Sequence, residues 1–406
     1  MRPSSRIAPA LLATLAAASL VSLLSFGVRS AFGLFTDPLT RELHLSREVY
    51  AIAIALQNLA WGVAQPVAGW VADRHGARRV ILGGALLYAL GLLVMALATS
   101  AWQVTLGAGV LAGLGMGGAS YITVLAALGR AMPAEHRSWA LGIGTAAGSL
   151  GQFVMVPLAQ AAIASAGWRT GAWLLVAAML VVLVAGALVR GDRAAAEQGG
   201  GSDSALAVLR TALRHPSYVL LVLGFFVCGF QLAFITVHFP AWLADHGLGG
   251  NVASWGIAMV GLFNVVGAYG AGVWGGHASR KNLLAGLYLA RGLSILLLIT
   301  LPLSGGTVLL FGASMGLLWL STVPLTSGLV ALFFGTRYMA MLFGVVFFSH
   351  QVGSFLGVYL GGWMYERTGS YELVWWCCIG LSLFAALVNL PIRERASQPF
   401  ARLLAL

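Results

Sequence analysis

Apolar residues in this chain fill whole windows instead of marking one face of an otherwise polar helix, and polar residues gather in short stretches between those windows. A run of about 20 mainly apolar residues is what a helix needs to cross the hydrocarbon core of a bilayer. The pattern predicts twelve such helices. Six fall at approximately residues 8–35, 49–72, 80–98, 102–129, 139–164 and 170–190, and six more at 217–242, 252–275, 283–302, 306–330, 339–364 and 372–391. An all-α integral membrane protein with twelve transmembrane helices is expected, since a helix satisfies its own backbone groups where no water can.

Composition excludes the soluble alternatives. Of 406 residues, 59% are apolar and 9% charged, and the mean hydropathy is +0.89; a soluble domain carries about a quarter charged residues. Catalytic dyads and metal-ligand spacings are not recognisable, so neither an enzyme nor a cofactor is expected. The three cysteines, Cys228, Cys377 and Cys378, lie in apolar runs and read as packing or lipid-facing residues.

The net charge of +11 changes the picture only through its distribution. Basic residues never cluster beyond two or three, which argues against nucleic acid. Of the 23 Lys and Arg, 17 fall on the side of the termini, four (Arg41, Arg47, Arg169 and Arg367) on the other, and Arg29 and Arg291 inside spans. Positive loops stay in the cytoplasm, so both termini are expected there, in a chain of the inner or plasma membrane. Arg2 and Arg6 before an apolar run imitate a cleavable signal, but the run continues unbroken to Phe35 and has a counterpart later in the chain.

That counterpart belongs to a repeat. Gly27, Ala31, Phe32 and Pro38 recur as Gly229, Ala233, Phe234 and Pro240, a shift of 202, and Gly142, Gly151, Phe153, Gly167 and Trp173 recur as Gly344, Gly353, Phe355, Gly369 and Trp375. An even number of spans per unit makes the repeat parallel, an architecture of alternating-access carriers with a mid-membrane site between halves. The expected organisation is an amino-terminal half (1–190), a flexible cytoplasmic linker (191–216) containing Gly199, Gly200 and Gly201, and a carboxy-terminal half (217–406).

Between spans 2 and 3, Gly69-Trp-Val-Ala-Asp73-Arg74-His-Gly76-Ala-Arg78-Arg79 resembles the signature loop of the major facilitator superfamily. Arg29-Ser-Ala-Phe-Gly-Leu-Phe in span 1 and Gly113, Gly115, Gly117, Gly118 and Tyr121 in span 4 resemble its monocarboxylate and oxalate-formate branch. The resemblance implies the major facilitator fold and a secondary transporter. It also implies an acid and an Arg on span 8, where this chain has Leu262-Phe-Asn264-Val-Val-Gly-Ala268, and drug exporters of the family carry an Arg in span 4 that is absent here.

All twelve acidic residues lie in loops or near span ends. The ionisable groups deeper in the membrane are therefore the first candidates, because a charge there is costly and marks a cavity or a partner. Arg29 shares a helical face with Ser22 and Ser25 and either lines the inter-half space or snorkels outward. Arg291, mid-span 9, either binds substrate or bonds carbonyls of neighbouring helices. His350 either holds an anion or a proton or packs in the seam of Gly353, Gly357 and Gly361. Tyr121, Gln152, Gln231 and Asn264 complete the candidate binding set, each open to the reading of an interhelical bond; Gln231 is the repeat partner of Arg29. In span 10, Pro324 is expected to break the helix by freeing the Leu320 carbonyl.

Gating is expected from Asp73, Arg74 and Arg78, with Asp73 near the positive end of span 11 at Arg337 and Tyr338, or alternatively paired with loop arginines. His238, near the far end of span 7, reads as a gate or an anchor. The function expected is secondary active transport of a small organic anion such as a monocarboxylate, with export of an amphipathic metabolite or drug as the alternative. The implied partners are that molecule, the lipid bilayer and a coupling proton or counter-substrate, with the chain acting as a monomer.

Overall fold

The computed structural model describes residues 8–189, 205–335 and 339–397. Among them are twelve helical stretches long and apolar enough to span a membrane. Spans 1 to 6 are Pro9–Glu42, Arg47–Ala72, Ala77–Ala96, Ala101–Leu125, Trp139–Ala166 and Trp168–Leu188. Spans 7 to 12 are Pro216–Asp245, Gly250–Trp274, Arg280–Thr300, Gly305–Phe334, Met341–Thr368 and Glu372–Asn389. Even span 12, with 18 residues, reaches about 27 Å at 1.5 Å per residue.

The ends follow local chemistry. Pro9 and Pro216 open spans 1 and 7, where a missing N–H costs nothing. Ser46 and Ser304 cap spans 2 and 10 by accepting from Val49 and Thr307 N–H. Gly167 and Gly335, at φ 84° and 72°, end spans 5 and 10 in a conformation that favours glycine.

The repeat is visible as matched close approaches. A methyl at Gly27 or Gly151 would collide with span 5 or span 1, and one at Gly229 or Gly353 with span 11 or span 7. Small residues let backbones meet this closely, which is how helices associate when lipid supplies no hydrophobic drive. Spans 2 and 11, and spans 5 and 8, pack across the two halves. Large apolar side chains such as Leu90, Leu180, Leu293 and Leu387 on spans 3, 6, 9 and 12 are exposed, as expected of helices that face lipid.

Two spans are interrupted along their length. Span 4 passes through a π-helical turn at Thr105–Leu111 and breaks at Ser120, whose ψ of 156° is extended. Span 10 consists of Gly305–Leu318 and Thr322–Phe334. Pro324 is not the cause of that break: it sits in the first turn of the second piece, and the Leu320 carbonyl accepts from Val323 N–H at 3.0 Å. The expected linker is also partly ordered. Ala205–Leu213 is a helix with Val208 and Ala212 buried, because its apolar residues recur on one face, while 190–204 with the Gly-rich stretch lie outside the described residues.

Candidate functional site

Span 1 runs as a helix through Ser30 and tightens into a 3-10 turn at Phe32–Phe35. Tyr50 of span 2 fixes that turn by donating to the Phe32 carbonyl at 2.7 Å. Arg29 sits just before it. Its guanidinium lies over the Trp61 ring, 4.9 Å from Cζ to centroid, and Nη2 donates to Asn58 Oδ1 at 3.4 Å. Both partners belong to span 2, so the side chain turns into the bundle and does not run outward along the lipid face.

There it lines a cavity between the halves. The walls are aromatic: Phe26 and Trp61 from one half, Phe225, Trp319, Phe343 and Phe347 from the other. Arg29 and His350 are the ionisable side chains lining it. The His350 ring stacks on Phe347 at 5.8 Å and its Nδ1 is 3.1 Å from Gln351 Oε1. Its backbone carbonyl meets Gly229 of span 7, so His350 faces the cavity with its ring while its backbone forms the glycine seam.

A smaller side pocket opens from the same Arg29, Phe26 and Trp61 into the amino-terminal half. Ser25, Tyr88 and Ser120 line it, the last at the span 4 break. Gln65 accepts from Trp61 Nε1 at 2.9 Å and from Ser120 Oγ at 3.0 Å, which ties the cavity wall to that break.

Other expected site residues are held elsewhere. Arg291, fully buried in span 9, donates from Nε and Nη2 to the Leu318 carbonyl at 3.1 and 2.6 Å and from Nη2 to that of Trp319. It caps the first piece of span 10 and is a structural group in this arrangement. Gln231 donates to the Cys378 carbonyl and to Ser382 Oγ, toward span 12 and away from Arg29's cavity. Gln152 donates to the Ile257 carbonyl of span 8 at 2.9 Å. Asn264 donates to Ser149 Oγ at 2.8 Å and accepts from Leu320 N–H at 2.9 Å. In each case a buried amide nitrogen donates to a partner inside the protein, although Gln231 Oε1 stays buried without one.

His238 packs within its own half, with Nε2 2.8 Å from the Val358 carbonyl and its ring against Gly361. Arg78 is exposed at the start of span 3. The side chains of Asp73, Arg74 and Tyr121, and residues Arg337 and Tyr338, lie outside the described set.

Sequence reasoning missed a charged cluster at the end opposite Pro9 and Asn389. Arg47 pairs with Asp245 of the other half at 2.6 Å and with Asp37 at 2.8 Å, and lies over Tyr365 at 4.1 Å. Burial raises the Tyr371 phenol, so the hydroxyl beside Arg47 stays neutral. Nearby, Arg367 meets Glu48 across the halves at 3.8 Å. The available signal was that Arg47 is one of few cations on the charge-poor side, with Asp37 and Asp245 at the ends of the repeat-related spans 1 and 7.

The family model described as Major Facilitator Superfamily matches residues 18–358. The chain belongs to that superfamily. Among its relatives, an uncharacterised transporter of this type from Bacillus subtilis, YcxA, is 27% identical over 387 residues, 91% of this chain and 93% of that one. Monocarboxylate transporter 13 of Bos taurus is 28% identical over 361 residues, 86% of this chain and 82% of that one. In fold, the superfamily member resembles a bacterial homologue of the human lysosomal transporter Spinster, solved inward-facing and unoccupied, with a TM-score of 0.74 at 15% identity over 95% of this chain and 99% of that one. This chain is thus an integral membrane protein and a major facilitator transporter.

Proposed function

We propose that this transporter is a secondary carrier of a small organic anion, a monocarboxylate being the leading class, which it binds between its halves and exposes to each side in turn. The observation that carries this reading is the Arg29 guanidinium turned into an aromatic-walled cavity at the centre of the bundle. A planar fork of N–H donors matches a carboxylate, and the low-polarity walls strengthen that contact. The relatedness to Monocarboxylate transporter 13 favours the same class.

His350 is the group proposed to carry a coupling proton, because its ring lines the cavity beside Arg29. The organisation proposed with it is a half at each end of the 191–216 linker, both termini in the cytoplasm of an inner or plasma membrane, and a monomer as the working unit. Asp73, Arg74 and Arg78 are proposed to act at the cytoplasmic end, opposite Arg47.

The aromatic lining also favours the second reading, export of an amphipathic metabolite or drug, for which Arg29 would be dispensable. Counterflow in proteoliposomes with a panel of carboxylates separates the two. Arg29→Gln removes the charge and Arg29→Lys keeps it without the fork; both are expected to lose at least tenfold in apparent affinity for an acid. Equal uptake of the acid by all three proteins overturns the anion reading.

A further inference from the structure

We infer that the substrate is an arylalkanoate, an acid with a flat apolar body, and that its carboxylate enters the side pocket of the amino-terminal half while its ring stays between the halves. The inference rests on the organic-anion reading and names the substrate within it. Its first support is a set of hydroxyls. Ser25 Oγ and Tyr88 Oη are buried, and neither has a hydrogen-bond partner within the protein. Both residues line the pocket that Arg29 also lines. Ser22 Oγ, one turn away on the same face of span 1, is likewise buried without a partner.

Leaving buried hydroxyls unpaired is unfavourable, and native proteins rarely do it without a reason. A helical serine ordinarily bonds the carbonyl four residues back, as Ser30 does to Phe26 at 2.9 Å in the same helix. Ser22 and Ser25 do not. A carboxylate accepts several hydrogen bonds and donates none. Two hydroxyl donors and a guanidinium around one pocket are the complement of that group, and both the serine and the tyrosine can turn their protons toward it.

The second support is the shape of the chemistry around Arg29. Around the cavity between the halves stand six aromatic rings, including the edge-to-face pair Trp61 and Phe347, 5.2 Å apart across the halves. Such walls discriminate poorly among hydrophilic acids and strongly in favour of apolar area, at about fourfold in affinity per methylene buried. A ring also gains edge-to-face contacts that an alkyl chain does not. A two-carbon or hydroxylated acid would satisfy the side pocket and leave the walls against water.

The test measures displacement of radiolabelled phenylacetate from the purified full-length protein, with counterflow in proteoliposomes as the transport readout. Phenylacetate is expected to bind at least 30-fold more tightly than acetate or lactate, and phenylacetamide, which keeps the ring without the charge, not to compete. Tyr88→Phe and Ser25→Ala, which leave the packing intact, are each expected to weaken phenylacetate about three- to tenfold. Phe347→Leu should weaken phenylacetate by a larger factor than acetate. Uptake of lactate or oxalate that phenylacetate fails to inhibit overturns this inference and leaves the anion reading standing. Phenylacetamide carried as well as phenylacetate overturns both. Wild-type affinity in Tyr88→Phe and Ser25→Ala together removes the carboxylate from the side pocket.

Discussion

Arg47 of span 2 grips Asp245 of span 7 through two N–H···O bonds of 2.6 and 2.7 Å, so one planar guanidinium joins the two halves of the transporter. With Asp37 and Tyr371 on the same side chain, the contact latches one end of the bundle shut. Arg47→Lys retains the charge and loses the paired geometry. Spin-label distances between span 1 and span 7 at this end are expected to show the open population rising about tenfold, equivalent to about 1.4 kcal/mol. Asp245→Asn should act in the same direction. Unchanged distances in both variants would reduce the cluster to a surface ion pair, worth about 0–1 kcal/mol.

A second expectation concerns Arg291. Arg291→Met fills similar space but leaves the Leu318 and Trp319 carbonyls without their donor, at about 1–3 kcal/mol for each group left unsatisfied. Thermal unfolding in detergent should fall clearly for Met and less for Lys. Substrate affinity of the folded protein should stay within about threefold. A tenfold loss of affinity at an unchanged melting temperature would make Arg291 a ligand and not a cap.

Asn264 bonds two different things, and cutting its two bonds should have unequal effects. Asn264→Leu strands the Leu320 N–H at the span 10 break and is expected to destabilise by about 1–3 kcal/mol. Ser149→Ala removes the tie to the other half together with a long bond to the Thr145 carbonyl at 3.5 Å. It should destabilise less than Asn264→Leu, because a side-chain amide can turn toward another acceptor where a backbone N–H cannot, and alter the rate at which the halves separate, read from single-turnover counterflow. Equal destabilisation by both would argue against a tie that breaks during transport.

Sidedness is checked by labelling. In a chain with Cys228, Cys377 and Cys378 replaced, Ser202→Cys should resist an impermeant thiol reagent applied outside, and His246→Cys should react. Strong outside labelling at 202 would invert the proposed topology.

The spans were legible because the bilayer imposes a length on every apolar run, and the seams because Gly27, Gly151, Gly229 and Gly353 recur at a fixed shift. What hydropathy could not show is which partner a buried polar group finds. Arg29 and Gln231 occupy equivalent places in the two repeats, yet one meets Trp61 at the cavity and the other Ser382 of span 12. The same gap hid the groups that satisfy the span 10 break, Arg291 and Asn264 of neighbouring spans. Tyr88 and Trp61 escaped notice because an aromatic within an apolar run carries no sign of what it faces.

Ser120 and the stretch from Trp319 to Ser321 stand about one repeat apart, and each half therefore carries one helix whose hydrogen-bond ladder is already interrupted beside the cavity. A helix bends most readily where its ladder is missing. The two interruptions act as elbows: the segments beyond them, Tyr121–Ala131 and Thr322–Phe334, can swing with few backbone bonds crossing the joint, those from Val124 N–H to Ser120 and from Val323 N–H to Leu320 among them. Arg291 and Gln65 brace the elbows from outside the cavity, so a substrate that presses on Trp319 or Ser120 pushes against a joint and not against a rod.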